Sequence, residues 1–164
     1  MEPVTSQTIT VDVNGTSYER EVETRRLLIH FIRDDLDLTG SHVGCDTGNC
    51  GACSVIMDGT LVKSCMLLAV QADGSRLETV EGLAAEGELT QLQQAFSDQH
   101  ALQCGYCTPG MLMSATALLR QTPKPSADEI KKAIQGNICR CTGYWNIVDA
   151  VTAASGQEVA SREA

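Results

Sequence analysis

Apolar and polar residues alternate from residue 7 to residue 13, which is the period of a half-buried β-strand. Asn14-Gly15 follows, a dipeptide typical of two-residue hairpin turns, and residues 16–22 are long enough to return as a second strand. In residues 25–36 the large apolar side chains recur three or four positions apart, which is helical spacing. The pattern therefore predicts a hairpin followed by an amphipathic helix whose apolar face covers the sheet.

A second hairpin is predicted further along the chain. Residues 54–57 and 60–63 are both β-prone, and they flank Asp58-Gly59, which is another strong signal for a two-residue turn. Residues 67–70 and 77–80 are further strand candidates. Together these segments predict a small mixed sheet wrapped around the helix.

After residue 82 the periodicity becomes helical. Four helices are predicted, at residues 90–102, 109–121, 127–135 and 144–154. Ser126 and Glu129 have capping-box spacing at the start of the third of them. We therefore predict an α+β protein in which residues 1–82 form a sheet domain and residues 83–164 form an all-α four-helix bundle. The small, polar residues from 155 onward are expected to form a mobile tail or a strand-like arm that docks on a partner.

Four cysteines lie in and after the loop between the two hairpins. Cys45, Cys50 and Cys53 are separated by four residues and then by two, and Cys65 follows the second hairpin. This is the plant-type spacing of four thiolates on a [2Fe–2S] cluster. Counting pairs outward from the turn sets Cys53 opposite Ser64, which returns Cys65 to the loop that holds the other three cysteines.

Other roles for these four cysteines fit the sequence less well. The start of the chain has no basic segment followed by an apolar one, so neither a signal peptide nor disulfides are expected. Structural zinc sites usually combine two short cysteine knuckles, which this spacing does not offer. A Rieske centre needs two histidine ligands, and only His42 lies nearby.

A second set of four cysteines precedes two of the predicted helices. Cys104 and Cys107 form one short pair, and Cys139 and Cys141 form another. Helix N-termini stabilise thiolates, so two such ends that face each other would hold a second four-thiolate cluster. Zinc and a redox dithiol remain alternatives for this set alone. We expect three neighbouring aromatic residues to exclude water and pack the bundle rather than to relay electrons: Tyr106, Tyr144 and Trp145.

Composition and charge narrow the function. The net charge of −9 argues against binding to nucleic acid or to an anionic membrane surface, so the expected partners are proteins. No apolar run approaches the length of a transmembrane segment, and eight cysteines without an export signal favour a reducing cytoplasm. The sequence has no phosphate-binding glycine motif and no Ser/His/Asp or paired-carboxylate arrangement. No residue is therefore assigned a catalytic role.

Three segments carry a resemblance to a known family, and they are residues 44–53, 103–110 and 136–144. With both cysteine sets in place, the chain resembles the small iron–sulfur subunit of the molybdenum hydroxylase (xanthine oxidase) family over residues 7–154. The resemblance implies an N-terminal domain with the β-grasp fold of plant-type ferredoxins and a C-terminal four-helix domain. It also implies two [2Fe–2S] clusters, one in each domain.

The same resemblance implies the partners and cofactors of the complex. A large subunit would oxidise the substrate at molybdenum held by molybdopterin cytosine dinucleotide, and a medium subunit would carry FAD. Electrons would pass through the C-terminal cluster and then the N-terminal cluster to the flavin. Gln103 and Cys141 would contact the pterin cofactor, and the family suggests a dimer of heterotrimers.

Within the family, four short segments look most like the small subunit of aerobic carbon monoxide dehydrogenase: residues 27–33, 42–47, 62–65 and 69–72. The expected function is therefore electron transfer during oxidation of CO to CO₂. The same role in an aldehyde, purine or N-heterocycle hydroxylase is the first alternative. A free-standing two-cluster ferredoxin and a zinc-stabilised interaction module are the others.

Overall fold

The computed structural model describes residues 5–84 and 87–159. The N-terminal half contains a five-stranded sheet in the order β2-β1-β5-β3-β4, in which only β1 and β5 pair in parallel. The strands are β1 (Ser6–Val13), β2 (Thr16–Glu23), β3 (Ser54–Met57), β4 (Thr60–Lys63) and β5 (Arg76–Glu78). Both predicted hairpins are confirmed. Their turns, Asn14-Gly15 and Asp58-Gly59, have positive φ angles at both residues, as type I′ turns require.

One helix crosses the sheet, and it begins later than predicted. Helix α1 spans Leu28–His30 and continues as a π-helix over Phe31–Asp35. Its buried apolar face packs on the sheet in a core that includes Ile9 and Leu77. The predicted amphipathic helix is therefore present, although residues 25–27 at its predicted start form the end of a turn and a bridge to Leu68.

The strand predicted at residues 67–70 is wrong. Leu68 makes a single bridge to Leu27, and Ala69–Ala72 form a 3₁₀ turn. Ala69 and Ala72 are both fully buried, because residues three apart lie on the same side of a 3₁₀ helix and these two small side chains fit against the core. The other candidate strand, at residues 77–80, is present one residue earlier as β5.

The second half of the described chain is helical, as predicted. Its helices are α2 (Gln91–Asp98), α3 (Thr108–Gln121), α4 (Ala127–Ile134) and α5 (Tyr144–Ala154). Ser126 and Glu129 form the predicted capping box. Helix α2 ends before the predicted residue 102, because His100 adopts a left-handed φ of 52°. None of the helices in the described ranges is long and apolar enough to cross a membrane, and residues 160–164 of the predicted tail lie outside those ranges.

The two halves pack directly on each other. Helix α3 lies against β3, where Ile56 packs with Met113 and Ala117 in one buried cluster. At the C-terminal end of α3 the Arg120 guanidinium donates two hydrogen bonds, of 2.8 and 2.6 Å, to the Glu78 carboxylate on β5. This pair keeps the pKa of Glu78 below its usual value. At the N-terminal end of α3, the backbone of Gly110 touches the backbone of Gly51. A Cβ atom on Gly110 would overlap the Gly51 carbonyl oxygen.

We predict that Gly110→Ala destabilises the protein although alanine is the better helix former. The new methyl group would force α3 away from Gly51, and such overpacking costs about 1–3 kcal/mol. In this size range that cost lowers the thermal unfolding midpoint by several degrees. Gln121→Ala, at the exposed end of the same helix, is the control and should stay within about 0.5 kcal/mol of wild type. A Gly110→Ala protein as stable as wild type would contradict this account of the interface.

Candidate metal centres

The first cysteine set begins in the tightly curved loop between α1 and β3. Gly48 and Gly51 adopt positive φ angles there, and the backbone N–H groups of Thr47 and Cys50 donate to Cys45 Sγ at 3.5 and 3.3 Å. The Thr47 hydroxyl, together with these N–H groups, lowers the pKa of Cys45 to about 6. The loop therefore stabilises a thiolate at this position.

The other two cysteines of this set lie on the second hairpin and are buried. The backbone N–H and the hydroxyl of Ser64 donate to the Cys53 carbonyl at 3.3 and 2.8 Å, which confirms the predicted register. Cys53 and Cys65 are only 2% and 4% exposed, and burial raises the pKa of Cys53 to about 11. A bound cation would therefore have to displace the proton of this thiol.

The second cysteine set lies at the N-terminal ends of α3 and α5, as predicted. Cys107 is the N-cap residue of α3, and the N–H of Gly143, the N-cap residue of α5, donates to Cys139 Sγ at 3.4 Å. Burial raises the pKa of Cys107 to about 12, whereas a hydrogen bond from the Tyr106 backbone lowers the pKa of the exposed Cys104. The loop before α5 is held by Tyr144, whose hydroxyl accepts from the Cys139 N–H at 2.9 Å.

Thiols in both sets interact with each other in pairs. These pairs are Cys45 with Cys50, Cys53 with Cys65, Cys104 with Cys141, and Cys107 with Cys139. Over residues 5–84 and 87–159, no three His, Cys, Asp or Glu side chains gather closely enough to hold one metal ion. A [2Fe–2S] group takes two thiolate ligands on each of two irons. Four thiols in two interacting pairs therefore fit a [2Fe–2S] group at each site.

Hydrogen bonds join the two cysteine loops to each other. The Ile138 N–H donates to the Cys50 carbonyl at 2.8 Å, and the Asn137 amide donates to the Gly51 carbonyl at 3.0 Å. The buried Asn137 also accepts from the Ser114 hydroxyl at 2.8 Å. A cavity of about 190 Å³ lies beside this contact. Its walls come from both loops and include Gly44, Cys50, Ala52, Cys104, Cys107 and Cys141. The two candidate sites are therefore neighbours.

Gln103 and Cys141, which the family resemblance links to a pterin cofactor, lie together. The Gln103 amide donates to the Cys141 carbonyl at 3.2 Å, and the Gln103 side chain is exposed. The exposed face beside the second cysteine set therefore presents both residues.

The expectation that the aromatic residues pack the helical domain is wrong. Tyr106 and Trp145 are 49% and 58% exposed, and Tyr144 is also exposed. Tyr106 instead reaches the first cysteine loop, where its hydroxyl donates to the Val43 carbonyl at 2.6 Å and its ring stacks on His42 at 4.6 Å between centroids. Apolar side chains thus remain on the surface beside the second cysteine set.

Sequence reasoning missed the contacts of Tyr106 and of Asn137. Both residues lie inside the cysteine motifs, but Tyr106 contacts Val43, which is 63 positions away, and Asn137 contacts Gly51, which is 86 positions away. Gly51 and Gly110 are the local sequence signal for this loop contact, because glycine allows two backbones to approach closely.

A mixed sheet with one thiol set, followed by helices with another, defines a two-site iron–sulfur protein. Residues 11–84 match the family described as "2Fe-2S iron-sulfur cluster binding domain", and residues 79–152 match the "[2Fe-2S] binding domain" family. The chain is 50% identical over 155 residues to caffeine dehydrogenase subunit gamma of Pseudomonas sp. (strain CBB1), and the match covers 93% of each chain.

Solved structures agree with this relationship. Quinoline 2-oxidoreductase of Pseudomonas putida 86 matches with a TM-score of 0.90 and 44% identity, over 93% of this chain and 95% of the other. Aldehyde oxidoreductase of Desulfovibrio desulfuricans ATCC 27774 matches with a TM-score of 0.88 and 41% identity, over 92% of this chain but 17% of that longer chain. The chain belongs to the small [2Fe–2S] subunits of the molybdenum hydroxylase family.

We predict that Asn137→Ala weakens the contact between the cysteine loops. The substitution removes a buried amide that bridges Gly51 and Ser114, and the loss of such a bridge costs about 1–3 kcal/mol. The thermal midpoint should fall, and the variant should release metal to a chelator faster than wild type. Asn146→Ala is the control, since that amide makes one exposed bond to the Gln99 carbonyl. Equal effects of the two substitutions would argue against a special role for Asn137.

Proposed function

We propose that this chain is the electron-transfer subunit of a molybdenum hydroxylase and that its eight cysteines hold two [2Fe–2S] centres. The proposed ligands are Cys45, Cys50, Cys53 and Cys65 for the N-terminal centre, and Cys104, Cys107, Cys139 and Cys141 for the C-terminal centre. When bound, each centre accepts and releases one electron. The observation that carries this proposal is the arrangement of eight thiols in two adjoining sets, each made of two interacting pairs beside one shared cavity.

The surrounding residues hold these thiols and limit the access of water. Backbone N–H groups donate to the sulfur atoms of Cys45 and Cys139, and at Cys45 they favour the thiolate form that metal binding requires. Cys53 and Cys65 are buried in the hairpin, so one end of the N-terminal set is shielded from solvent. The hydrogen-bonded loops keep the two sets at a fixed separation. A fixed separation suits electron transfer, because the rate of tunnelling falls steeply with distance.

The face around the C-terminal thiols is proposed to bind a large subunit that carries the molybdenum cofactor. Five large apolar side chains are exposed around it: Leu102, Tyr106, Ile138, Tyr144 and Trp145. Large apolar side chains that are exposed beside one site are typical of a protein interface. In the Desulfovibrio aldehyde oxidoreductase the matching region is part of a much longer chain, which supports a permanent association. On this face Gln103 and Cys141 are proposed to contact molybdopterin cytosine dinucleotide.

The remaining features of the complex follow from the family. The chain is proposed to pass electrons to FAD on a medium subunit, within a dimer of heterotrimers in the cytoplasm. The proposed domain boundary lies between residues 82 and 83, inside the region where the two matched family segments overlap. Substrate chemistry is assigned to the large subunit, and no residue of this chain is assigned to it.

For the substrate of the complex we favour a nitrogen heterocycle over carbon monoxide. Caffeine and quinoline, which appear in the names of two relatives, are both nitrogen heterocycles, and these relatives match nearly the whole chain at 50% and 44% identity. An aldehyde is the second candidate, because the aldehyde oxidoreductase shares 41% identity. The similarity to carbon monoxide dehydrogenase rests on short segments, and the names of these three relatives do not support it.

We predict that Cys53→Ser and Cys139→Ser each abolish one centre and leave the other. Serine is a poor iron ligand beside three thiolates, so each variant should keep about half of the iron and half of the reduced electron paramagnetic resonance (EPR) intensity. The two variants should lose different EPR components. Each protein is the control for the other, since the untouched set should retain its centre. Retention of both signals in either variant would refute the ligand assignment.

We predict that the native protein purifies as part of a larger complex. Affinity purification of the tagged chain from its own host should recover a molybdenum-containing large subunit and a flavoprotein. The recovered complex should oxidise a purine, pyridine or quinoline with reduction of its flavin, and it should fail to oxidise CO. A stable monomer that reduces several unrelated acceptors would instead identify a free-standing ferredoxin. A colourless protein with stoichiometric zinc would identify an interaction module.

A further inference from the structure

Lys63 places a positive charge against the first cysteine loop. It is the last residue of β4 and lies two positions before Cys65. Its ammonium group donates to the Gly48 carbonyl at 2.5 Å, and Gly48 lies between Cys45 and Cys50. The side chain is half-buried, so its charge is less screened by solvent than that of a fully exposed lysine.

No carboxylate neutralises this charge among the residues that the structure describes. The ion pairs of residues 5–84 and 87–159 involve other cations, and the only hydrogen bond of the Lys63 ammonium is to the backbone carbonyl of Gly48. Arg140, between Cys139 and Cys141 of the other thiol set, is exposed, so its charge is more strongly screened by solvent than that of Lys63. The field of Lys63 acts on whatever the thiols bind.

The effect of this charge on a metal centre has a definite sign. Reduction adds one negative charge to a centre that already carries four thiolates. A fixed positive charge stabilises the reduced form more than the oxidised form, and net charge is one of the factors that set iron–sulfur potentials. We propose that Lys63 raises the reduction potential of the N-terminal centre relative to the C-terminal centre, so that electrons move toward the N-terminal centre. This inference rests on the proposed function.

The test measures the potential of each centre in the native complex. Potentiometric titration is followed by EPR spectroscopy, and the two signals are assigned by their loss in Cys53→Ser and Cys139→Ser. Lys63→Met should lower the reduction potential of the N-terminal centre, with about a tenfold change in the reduced-to-oxidised ratio at fixed potential, which is ~59 mV for one electron. The C-terminal centre should shift less.

Three further variants separate charge from structure. Lys63→Gln also removes the charge and should behave as Lys63→Met, whereas Lys63→Arg keeps the charge and should stay close to wild type. Lys124→Met is the matched control, because Lys124 is exposed and lies after the C-terminal end of α3, whereas the cysteines lie at its N-terminal end. That helix has 14 residues and is therefore about 20 Å long. This control should leave both potentials unchanged.

Several outcomes would overturn the inference. An unchanged N-terminal potential in both neutral variants would exclude an electrostatic role. An equal fall in Lys63→Arg and Lys63→Met, or loss of N-terminal iron from both neutral variants, would make Lys63 a structural clamp on Gly48. Failure of the proposed function looks different, because wild-type protein would then lack two iron–sulfur signals before any variant is compared.

Discussion

Direct backbone contact between the first cysteine loop and the first turn of α3 is the constraint on which the rest of this molecule depends. Gly51 and Gly110 meet without intervening side chains, and the buried Asn137 ties the contact together from the second loop. Because this contact fixes α3 against β3, the hairpin that brings Cys53 and Cys65 together is also fixed relative to the helix ends. The sheet and the helices thus act as supports that hold two thiol sets beside each other.

The same arrangement explains how a short chain with few aromatic residues is stabilised. Each half has its own hydrophobic core, and cores of this size leave little margin over the entropy cost of folding. Metal ligation would add to that margin, because a site that exists only in the folded state contributes its binding free energy to folding. The N-terminal site joins a loop to a hairpin, and the C-terminal site joins the starts of α3 and α5. Each centre would therefore crosslink segments that the cores hold only weakly.

Local signals in the sequence predicted the features that depend on local physics. The Asp58-Gly59 turn fixes the register that returns Cys65 to the loop, and Ser126 caps α4 as its spacing indicated. The errors arose where tertiary packing decides. Ala69 and Ala72 lie in a 3₁₀ turn instead of a strand. Tyr106 stacks on His42 instead of packing in the helical domain. The unpaired charge of Lys63 was also invisible in the sequence, because it depends on which groups lie around the ammonium in space.

The central claim is that eight thiols on one chain hold two diiron centres. Analysis of iron and acid-labile sulfide in the intact wild-type chain tests it most directly, with zinc measured in the same sample. The account predicts four irons and four sulfides per chain, with negligible zinc. After reconstitution with iron and sulfide, a chain that still holds clearly fewer than four of each, or that holds zinc in their place, would contradict it.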